Sequence, residues 1–226
     1  MASLEQLAQY STCDIADALQ KLGVTPYGGY IPDIVMHSPE YCGGKTRIVG
    51  PAFTVEIVPK SDKISPTLSE PFVDLAPEES VIVIHAPEGC VKNAVWGGLM
   101  MARAKQRGAK GVIVDGRVRD ILEQRADKFP VFCKGLSILG QASFTRPSAV
   151  NVPIKINGDF GMDITVHPGD IVVADVDGVV AVPPQLLDQV IRKCAVGVLE
   201  DGQCMEAIQQ GMSVQEAFAT FRGQHS

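Results

Sequence analysis

The 226-residue sequence predicts an α/β fold with a mixed β-sheet. Strand-like segments cluster between residues 48 and 182, helical segments lie at both ends of the chain, and one further helix begins at Gly98. The run Val81–His85 is nearly all apolar, which is typical of a strand buried on both faces. Because 46% of the residues are hydrophobic, one sizeable core can form, and we expect a single domain over residues 1–226.

The first 22 residues predict two short amphipathic helices that are separated near Tyr10. Ser11 or Thr12 can cap the second helix, and Gly23 can end it.

A Pro- and Gly-rich stretch over residues 26–46 predicts a long loop with a short strand at residues 34–36. Within it, residues 43–46 (GGKT) are similar to the end of a phosphate-binding P-loop. Pro39 stands where that motif has glycine, and no apolar strand leads into it, so a nucleotide site is disfavoured.

Alternating or continuous apolar residues predict the strands that follow. They cover residues 48–58, 81–85, 131–133, 151–157, 164–166, 171–175 and 179–182. We expect turns at residues 158–161, hairpins at residues 167–170 and before Val179, and a helix from about residue 184. Asp175, Asp177 and Gly178 also fit part of a calcium loop, but its ligand spacing is incomplete.

The C-terminal region predicts three helices in succession. The first runs from about residue 184 to Glu200, the second begins near Gly202, and the third begins at Ser213.

Composition excludes several function classes. The net charge is −6 and no basic run is present, so we expect neither nucleic acid nor an anionic membrane surface as a partner. No window approaches the ~20 apolar residues of a membrane span, and the N-terminus lacks a signal-peptide pattern. These features predict a soluble, cytoplasmic protein.

Cysteine and histidine spacing fits no zinc site. We expect free, mostly buried thiols rather than disulfides at Cys13, Cys42, Cys90, Cys133, Cys194 and Cys204. The isolated histidines, which we expect to be structural or solvent-facing, are His37, His85, His167 and His225.

The most informative stretch runs from Trp96 to Glu123. About ten helical residues from Gly98 rise ~15 Å, and a strand over residues 111–115 returns over a similar distance. Arg119 and Asp120 are therefore predicted to lie beside the helix N-terminus, where unpaired N–H groups attract anions.

Arg119 can grip a carboxylate with two hydrogen bonds, and Asp120 can hold a divalent cation. We call this predicted site the anion corner. In a purely structural alternative, Gly97 and Gly98 permit close packing, Arg119 and Asp120 form a surface pair worth ~0–1 kcal/mol, and Trp96 is a packing or interface residue.

Three motifs carry a family resemblance. The first is G-x20-R-D-x2-E from Gly98 through Arg119 and Asp120 to Glu123. The second is P-G-D…D-x-D-G-V-x-x-x-P within residues 167–183, and the third is D-x-x-D-A-L from Asp14. Together they resemble class II 4-hydroxy-4-methyl-2-oxoglutarate aldolases, which share a superfamily with the RraA regulators of ribonuclease E.

The resemblance implies compact β-layers flanked by helices, of the swivelling β/β/α type. It further implies a homotrimer or a hexamer, Mg²⁺ or Mn²⁺ as cofactor, and cleavage of a small 2-oxo acid to pyruvate. Oxaloacetate decarboxylation would proceed through the same enolate.

The resemblance also assigns individual residues. Substrate contacts are implied for Gly97, Gly98, Leu99, Met100 and Arg119, the metal ligand is Asp120, and Glu123 matches an acidic position that accompanies aldolase activity. Some bacterial aldolases have aspartate where this chain has Gly98, which leaves the catalytic base open.

Two rival functions follow from the same residues. A Schiff-base aldolase would need a desolvated lysine, for which Lys110 and Lys155 are the candidates nearest apolar strands. A non-catalytic RraA-like regulatory binding protein is the alternative from another class, against which Glu123 argues.

Overall fold

The computed structural model describes residues 3–24, 27–87, 92–157 and 163–222. The predicted turn at residues 158–161 lies outside these ranges, as do Cys90 and His225.

Seven α-helices occur in the described ranges. They are α1 Leu4–Leu7, α2 Thr12–Lys21, α3 Phe72–Leu75, α4 Gly98–Gln106, α5 Ile121–Ala126, α6 Leu187–Gln209 and α7 Val214–Phe221, with a 3-10 turn at Pro184–Leu186 before α6.

Twelve strands occur in the same ranges. They are β1 Tyr30–Ile31, β2 Val35–Ser38, β3 Ile48–Pro59, β4 Val81–His85, β5 Ala94–Trp96, β6 Gly111–Val118, β7 Val131–Leu136, β8 Thr145–Val150, β9 Ile154–Asn157, β10 Asp163–Val166, β11 Ile171–Ala174 and β12 Val179–Val182.

Ten of these strands form one mixed sheet in the order β1-β12-β11-β3-β4-β6-β7-β2, with β5 beside β6 and β8 beside β3. Strands β3, β4, β6 and β7 are parallel, and β5 joins β6 in the same sense. The other pairs are antiparallel. The predicted mixed α/β architecture is therefore confirmed.

Strand β3 connects the two halves of the sheet because it is twelve residues long. Its first part pairs with β11, and its second part pairs with β4 and β8. One apolar cluster packs Met101 and Ala104 of α4 against the parallel strands. A second joins inward residues of both halves of the sheet with strands β9 and β10, and a third packs α1, α2 and α6 on β11 and β12.

The second predicted N-terminal helix is confirmed, with Ser11 as its cap. The Ser11 side chain accepts from the N–H of Asp14, and the Asp14 side chain accepts from the N–H of Ser11. Gly23 follows the helix with φ +83°, a conformation that glycine adopts without strain.

The predicted hairpin at residues 167–170 is wrong. Strand β10 pairs with β9, whereas β11 pairs with β3 and β12, so these residues carry the chain from one sheet to the other. The turn is nevertheless tight, because Asp170 accepts from the N–H of His167 and donates its own N–H to the His167 carbonyl. The hairpin before Val179 is confirmed, because β11 and β12 are antiparallel neighbours.

The predicted helix break between Glu200 and Gly202 is also wrong. Helix α6 runs without interruption to Gln209, and α7 then begins after the predicted cap, Ser213. An exposed glycine within a helix costs only about 1 kcal/mol, and α6 recovers this through its buried side chains, among them Cys204 and Ala207.

No helix in the described part of the chain combines the length and apolar character required to cross a membrane.

Candidate functional site

Helix α4 begins at the predicted glycine pair. Gly97 is its N-terminal flanking residue, and the Gly98 N–H donates to Asp120 Oδ2 over 3.0 Å. Within the described residues, the N–H groups of Leu99 and Met100 have no acceptor. The predicted return of the chain is thus confirmed, and two helix N–H groups remain available beside Asp120.

Asp120 reaches α4 because its backbone is left-handed, with φ 58° and ψ 38°. Aspartate is one of the few residues that adopts this conformation at modest cost. Asp120 lies between the end of strand β6 and the start of helix α5. Its carboxylate points towards the N–H of Gly98. Such strained positions are enriched at functional sites.

Gln124 holds the Arg119–Asp120 turn in place and was not predicted from the sequence. This fully buried side chain accepts from Trp96 Nε1 over 2.9 Å and donates to the Arg119 carbonyl over 2.6 Å. The Arg119 N–H also donates to the Trp96 carbonyl. Trp96 is buried and stacks on Phe129, which confirms the packing role. The sequence carries no signal for these hydrogen bonds, because a glutamine one turn after an Arg-Asp pair is a common feature of unrelated sequences.

Two carboxylates lie over the consecutive glycines. A Cβ atom on Gly97 would lie 2.7 Å from Asp120 Oδ2, and one on Gly98 would collide with a carboxylate oxygen of Glu123. Glu123 thus fills the space that a side chain at position 98 would occupy. A carboxylate from helix α5 therefore lies next to the position where some bacterial aldolases carry aspartate.

A cleft of about 600 Å³ opens at this corner. Residues 94–100 with Arg119 and Asp120 form one part of its lining, and residues 140–147 with Lys60 form the rest. The Arg119 guanidinium lies against Gly140, where a Cβ atom would come within 2.9 Å of Nη1. Three cationic side chains, Lys60, Arg119 and Arg146, line the cleft beside Asp120. Arg146 pairs with Asp62, so Lys60 and Arg119 are the cations that can attract an anion.

The donor set fits a hard cation held by few protein ligands. Among the described residues, no group of three or more histidine, cysteine, aspartate or glutamate side chains is arranged to hold a metal. Magnesium commonly uses one or two carboxylates and keeps several waters, and Asp120 provides one such carboxylate.

The structure accounts for the two alternative ligand sites that the sequence suggested, a nucleotide site and a calcium loop. Residues 43–46 lead into strand β3, whereas a P-loop leads into a helix. Asp175 accepts from Thr12 and pairs with Arg47, which accounts for its charge without calcium.

The described cysteines are free thiols, of which Cys13 and Cys42 are exposed and the other three are buried. Burial raises the pKa of both Cys133 and Cys194 to about 12, so neither is a thiolate at neutral pH.

The lysines considered for a Schiff base are both at the surface. Lys110 pairs with Glu79 and Lys155 pairs with Asp163, and neither side chain is desolvated.

A family model described as "Aldolase/RraA", of the RraA-like family, matches residues 12–181. The chain belongs to the RraA-like family.

Curated relatives and a solved structure agree with this family. Protein DlpA of Legionella pneumophila is 30% identical over 95% of the chain, which spans only 33% of DlpA. A Halalkalibacterium halodurans protein named "Putative 4-hydroxy-4-methyl-2-oxoglutarate aldolase" is 31% identical, with 76% of this chain and 77% of the relative covered. The crystal structure of Streptomyces coelicolor RraAS2, described as an unusual member of the RNase ES inhibitor RraA family, superposes with a TM-score of 0.74 at 24% identity over 92% and 97% of the two chains. The RraA-like fold, with its β-layers flanked by helices, is therefore confirmed.

Proposed function

We propose that this protein is a metal-dependent lyase that cleaves 4-hydroxy-4-methyl-2-oxoglutarate and related 4-hydroxy-2-oxo acids to pyruvate. Oxaloacetate decarboxylation at the same site is part of the proposal. The observation that carries it is the convergence of Arg119, Asp120 and two helix N–H groups without acceptors among the described residues in one cleft, with the Glu123 carboxylate beside Gly98. A relative's name supports the reaction.

Arg119 and the N–H groups of Leu99 and Met100 would bind the C1 carboxylate of the substrate. Arg119 is oriented for this task because Gln124 and Trp96 fix its backbone. Gly97 and Gly98 leave room for the Asp120 and Glu123 carboxylates beside the helix N-terminus.

Asp120 would hold Mg²⁺ or Mn²⁺. When bound, the cation supplies Lewis-acid stabilisation of the negative charge that develops on the C2 oxygen.

Glu123 would accept the proton of the C4 hydroxyl, directly or through a water. As that proton leaves, the C4–O bond becomes a carbonyl, the C3–C4 bond breaks, and its electron pair forms the enolate of pyruvate. Return of a proton to C3 completes pyruvate. In oxaloacetate the bond between C3 and the departing carboxylate breaks instead, and no hydroxyl proton has to be removed.

The assembly is proposed as a homotrimer or a hexamer. Large apolar side chains are exposed around the cleft, including Leu99 at 83% and Ile138 at 93%, together with Leu122, Leu136 and Leu139. Such a concentration of exposed apolar surface is typical of a protein interface, and a second copy of this chain is the partner we propose. A cytoplasmic location, without nucleic acid or membrane as partner, completes the proposal.

A non-catalytic regulatory binding protein is the second candidate. The same exposed apolar residues, beside Arg117 and Lys92, are the observation that favours it.

Pyruvate release from 4-hydroxy-4-methyl-2-oxoglutarate and from oxaloacetate, with and without Mg²⁺, separates the two candidates. The aldolase proposal predicts turnover that EDTA abolishes and Mg²⁺ restores. Full activity after exhaustive EDTA treatment, with borohydride trapping of pyruvate on the protein, would establish Schiff-base chemistry instead. If the protein releases no pyruvate under any of these conditions, the aldolase proposal fails and the regulatory binding protein is the remaining candidate.

A further inference from the structure

Gln141 lies in the part of the cleft wall formed by residues 140–147. The side chain is half-buried, yet its Nε2 is fully buried and has no hydrogen-bond acceptor among the described residues. Buried N–H donors in native proteins nearly always have an acceptor, so each exception calls for an explanation.

The wall that carries Gln141 is firmly held. The Gln141 carbonyl accepts from the N–H groups of Phe144 and Thr145, at 2.9 and 3.0 Å. The Thr145 hydroxyl accepts from Asn93, and the Lys60 N–H donates to the Phe144 carbonyl. The backbone that carries the unpaired amide is therefore held by the fold at the wall of the cleft.

Two cationic groups line the same cleft. Gly140, the residue before Gln141, contacts the Arg119 guanidinium. Lys60 also lines the cleft, and its side chain is exposed. Because Arg119 belongs to the helix N-terminus that binds one carboxylate, Gln141 and Lys60 are available to a second anionic group of the same ligand.

We propose that Gln141 is a specificity-determining residue whose amide N–H, together with Lys60, binds the distal carboxylate of a 2-oxo dicarboxylic acid. This inference rests on the proposed function, because it assumes that Arg119 binds the first carboxylate. It makes the chain selective for dicarboxylates over substrates that carry a single carboxylate.

The test replaces Gln141 with methionine, which keeps the length of the side chain and removes the donor. For Gln141→Met we expect kcat/KM to fall about 10- to 100-fold with 4-hydroxy-4-methyl-2-oxoglutarate and to change less than about threefold with the monocarboxylate 4-hydroxy-2-oxopentanoate. Gln141→Glu should lower kcat/KM for the dicarboxylate further than Gln141→Met does, because the negative charge of the new side chain repels the distal carboxylate. Gln209→Met, on the exposed side of α6, is the matched control and should leave kcat/KM unchanged for both substrates.

A purely structural role makes different predictions. It would lower the melting temperature and reduce turnover of both substrates alike, whereas removal of an unpaired buried amide should keep or raise the melting temperature. Equal losses for the two substrates, or no loss for either, would overturn the inference.

Binding measurements test the role of Gln141 independently of whether the protein is an aldolase. Calorimetry should show that 2-oxoglutarate binds more tightly than pyruvate to the wild type, and that Gln141→Met removes the difference, even if the wild type releases no pyruvate. A preference for 2-oxoglutarate that survives Gln141→Met, or its absence from the wild type, contradicts the role of Gln141.

Discussion

Two charged clusters at the parallel strands use similar residues for opposite purposes. One is the anion corner of Arg119, Asp120 and Glu123. The other, which we call the charged row, consists of Glu56, His85, Asp115 and Lys134 on neighbouring strands β3, β4, β6 and β7. Glu56 pairs with His85 and His85 with Asp115 in the strand register, and Lys134 follows Cys133, the partner of Val114.

Asp115 is paired on both sides within the charged row. His85 Nδ1 lies 2.6 Å from one Asp115 carboxylate oxygen, and Lys134 Nζ lies 2.5 Å from the other. The Asp115 side chain is only 5% exposed, whereas that of Asp120 is 36% exposed. In the corner, Arg119 Nε remains 3.4 Å from Asp120, and the N–H groups of Leu99 and Met100 lack acceptors in the part of the chain that the structure describes. A buried charge whose partners are already in place cannot be left unpaired without a large cost, whereas an incompletely paired charge in a cleft is available to a ligand.

The largest effect should come from Asp120 in the corner. We expect Asp120→Ala to reduce kcat/KM for pyruvate release by about 10²–10³-fold, because the proposed cation loses its main carboxylate. Coupled detection of pyruvate over a Mg²⁺ titration measures this effect. Asp127→Ala is the control, since Asp127 is a surface partner of Lys105 at the far end of α5. Wild-type turnover in Asp120→Ala would remove Asp120 from the site.

Arg119→Lys should have the next largest effect. Lysine keeps the charge but cannot form two parallel hydrogen bonds to a carboxylate, so we expect KM to rise about 10-fold or more. Steady-state kinetics with oxaloacetate provide the measurement. Arg103→Lys, on the exposed side of α4 beside Asp74, should behave as the wild type. An unchanged KM in Arg119→Lys would show that the carboxylate binds elsewhere.

Gly98→Ala tests whether the position of Glu123 matters for turnover. The new Cβ atom displaces the Glu123 carboxylate, and because this is the end of a flexible side chain, the fold should tolerate the change. We expect kcat to fall about 10-fold with little loss of stability. Gly202→Ala meets no neighbouring atom and should gain up to about 1 kcal/mol of unfolding free energy without changing kcat. An unaltered kcat in Gly98→Ala would exclude Glu123 as the proton acceptor.

The charged row should affect stability rather than turnover, and its effect should be the smallest. Burial alone lowers the pKa of His85, but the hydrogen bond and charge of Asp115, with the charge of Glu56, outweigh burial and leave that pKa raised. A raised folded-state pKa stabilises the protein fully below pH ~6.5, and this contribution disappears as the pH rises through the folded pKa. Urea unfolding between pH 5.5 and 8.5 should therefore show a decline that is weaker in His85→Gln. Identical pH profiles for the wild type and His85→Gln would contradict a contribution of the His85–Asp115 pair to stability.

The sequence predicted the anion corner because its geometry is local. The lengths of α4 and β6 brought Arg119 and Asp120 beside Gly98, as the structure confirms. Gln124 and Gln141 could not be predicted, because their importance depends on contacts that only the tertiary fold creates.

The same contrast holds for the fold. Strand β4 was predicted because its apolar run is continuous, whereas β8 was missed because Arg146 and Pro147 interrupt any alternation. Gly202 suggested a helix end, but buried side chains on both sides of it maintain α6.

Binding of Mn²⁺ in the presence of pyruvate, followed by electron paramagnetic resonance, tests most directly whether the corner and not the row is the chemical site. We predict one bound Mn²⁺ per chain in the wild type and in His85→Gln, and its loss in Asp120→Asn. Retention of Mn²⁺ by Asp120→Asn together with its loss from His85→Gln would contradict the account and place the cation in the charged row.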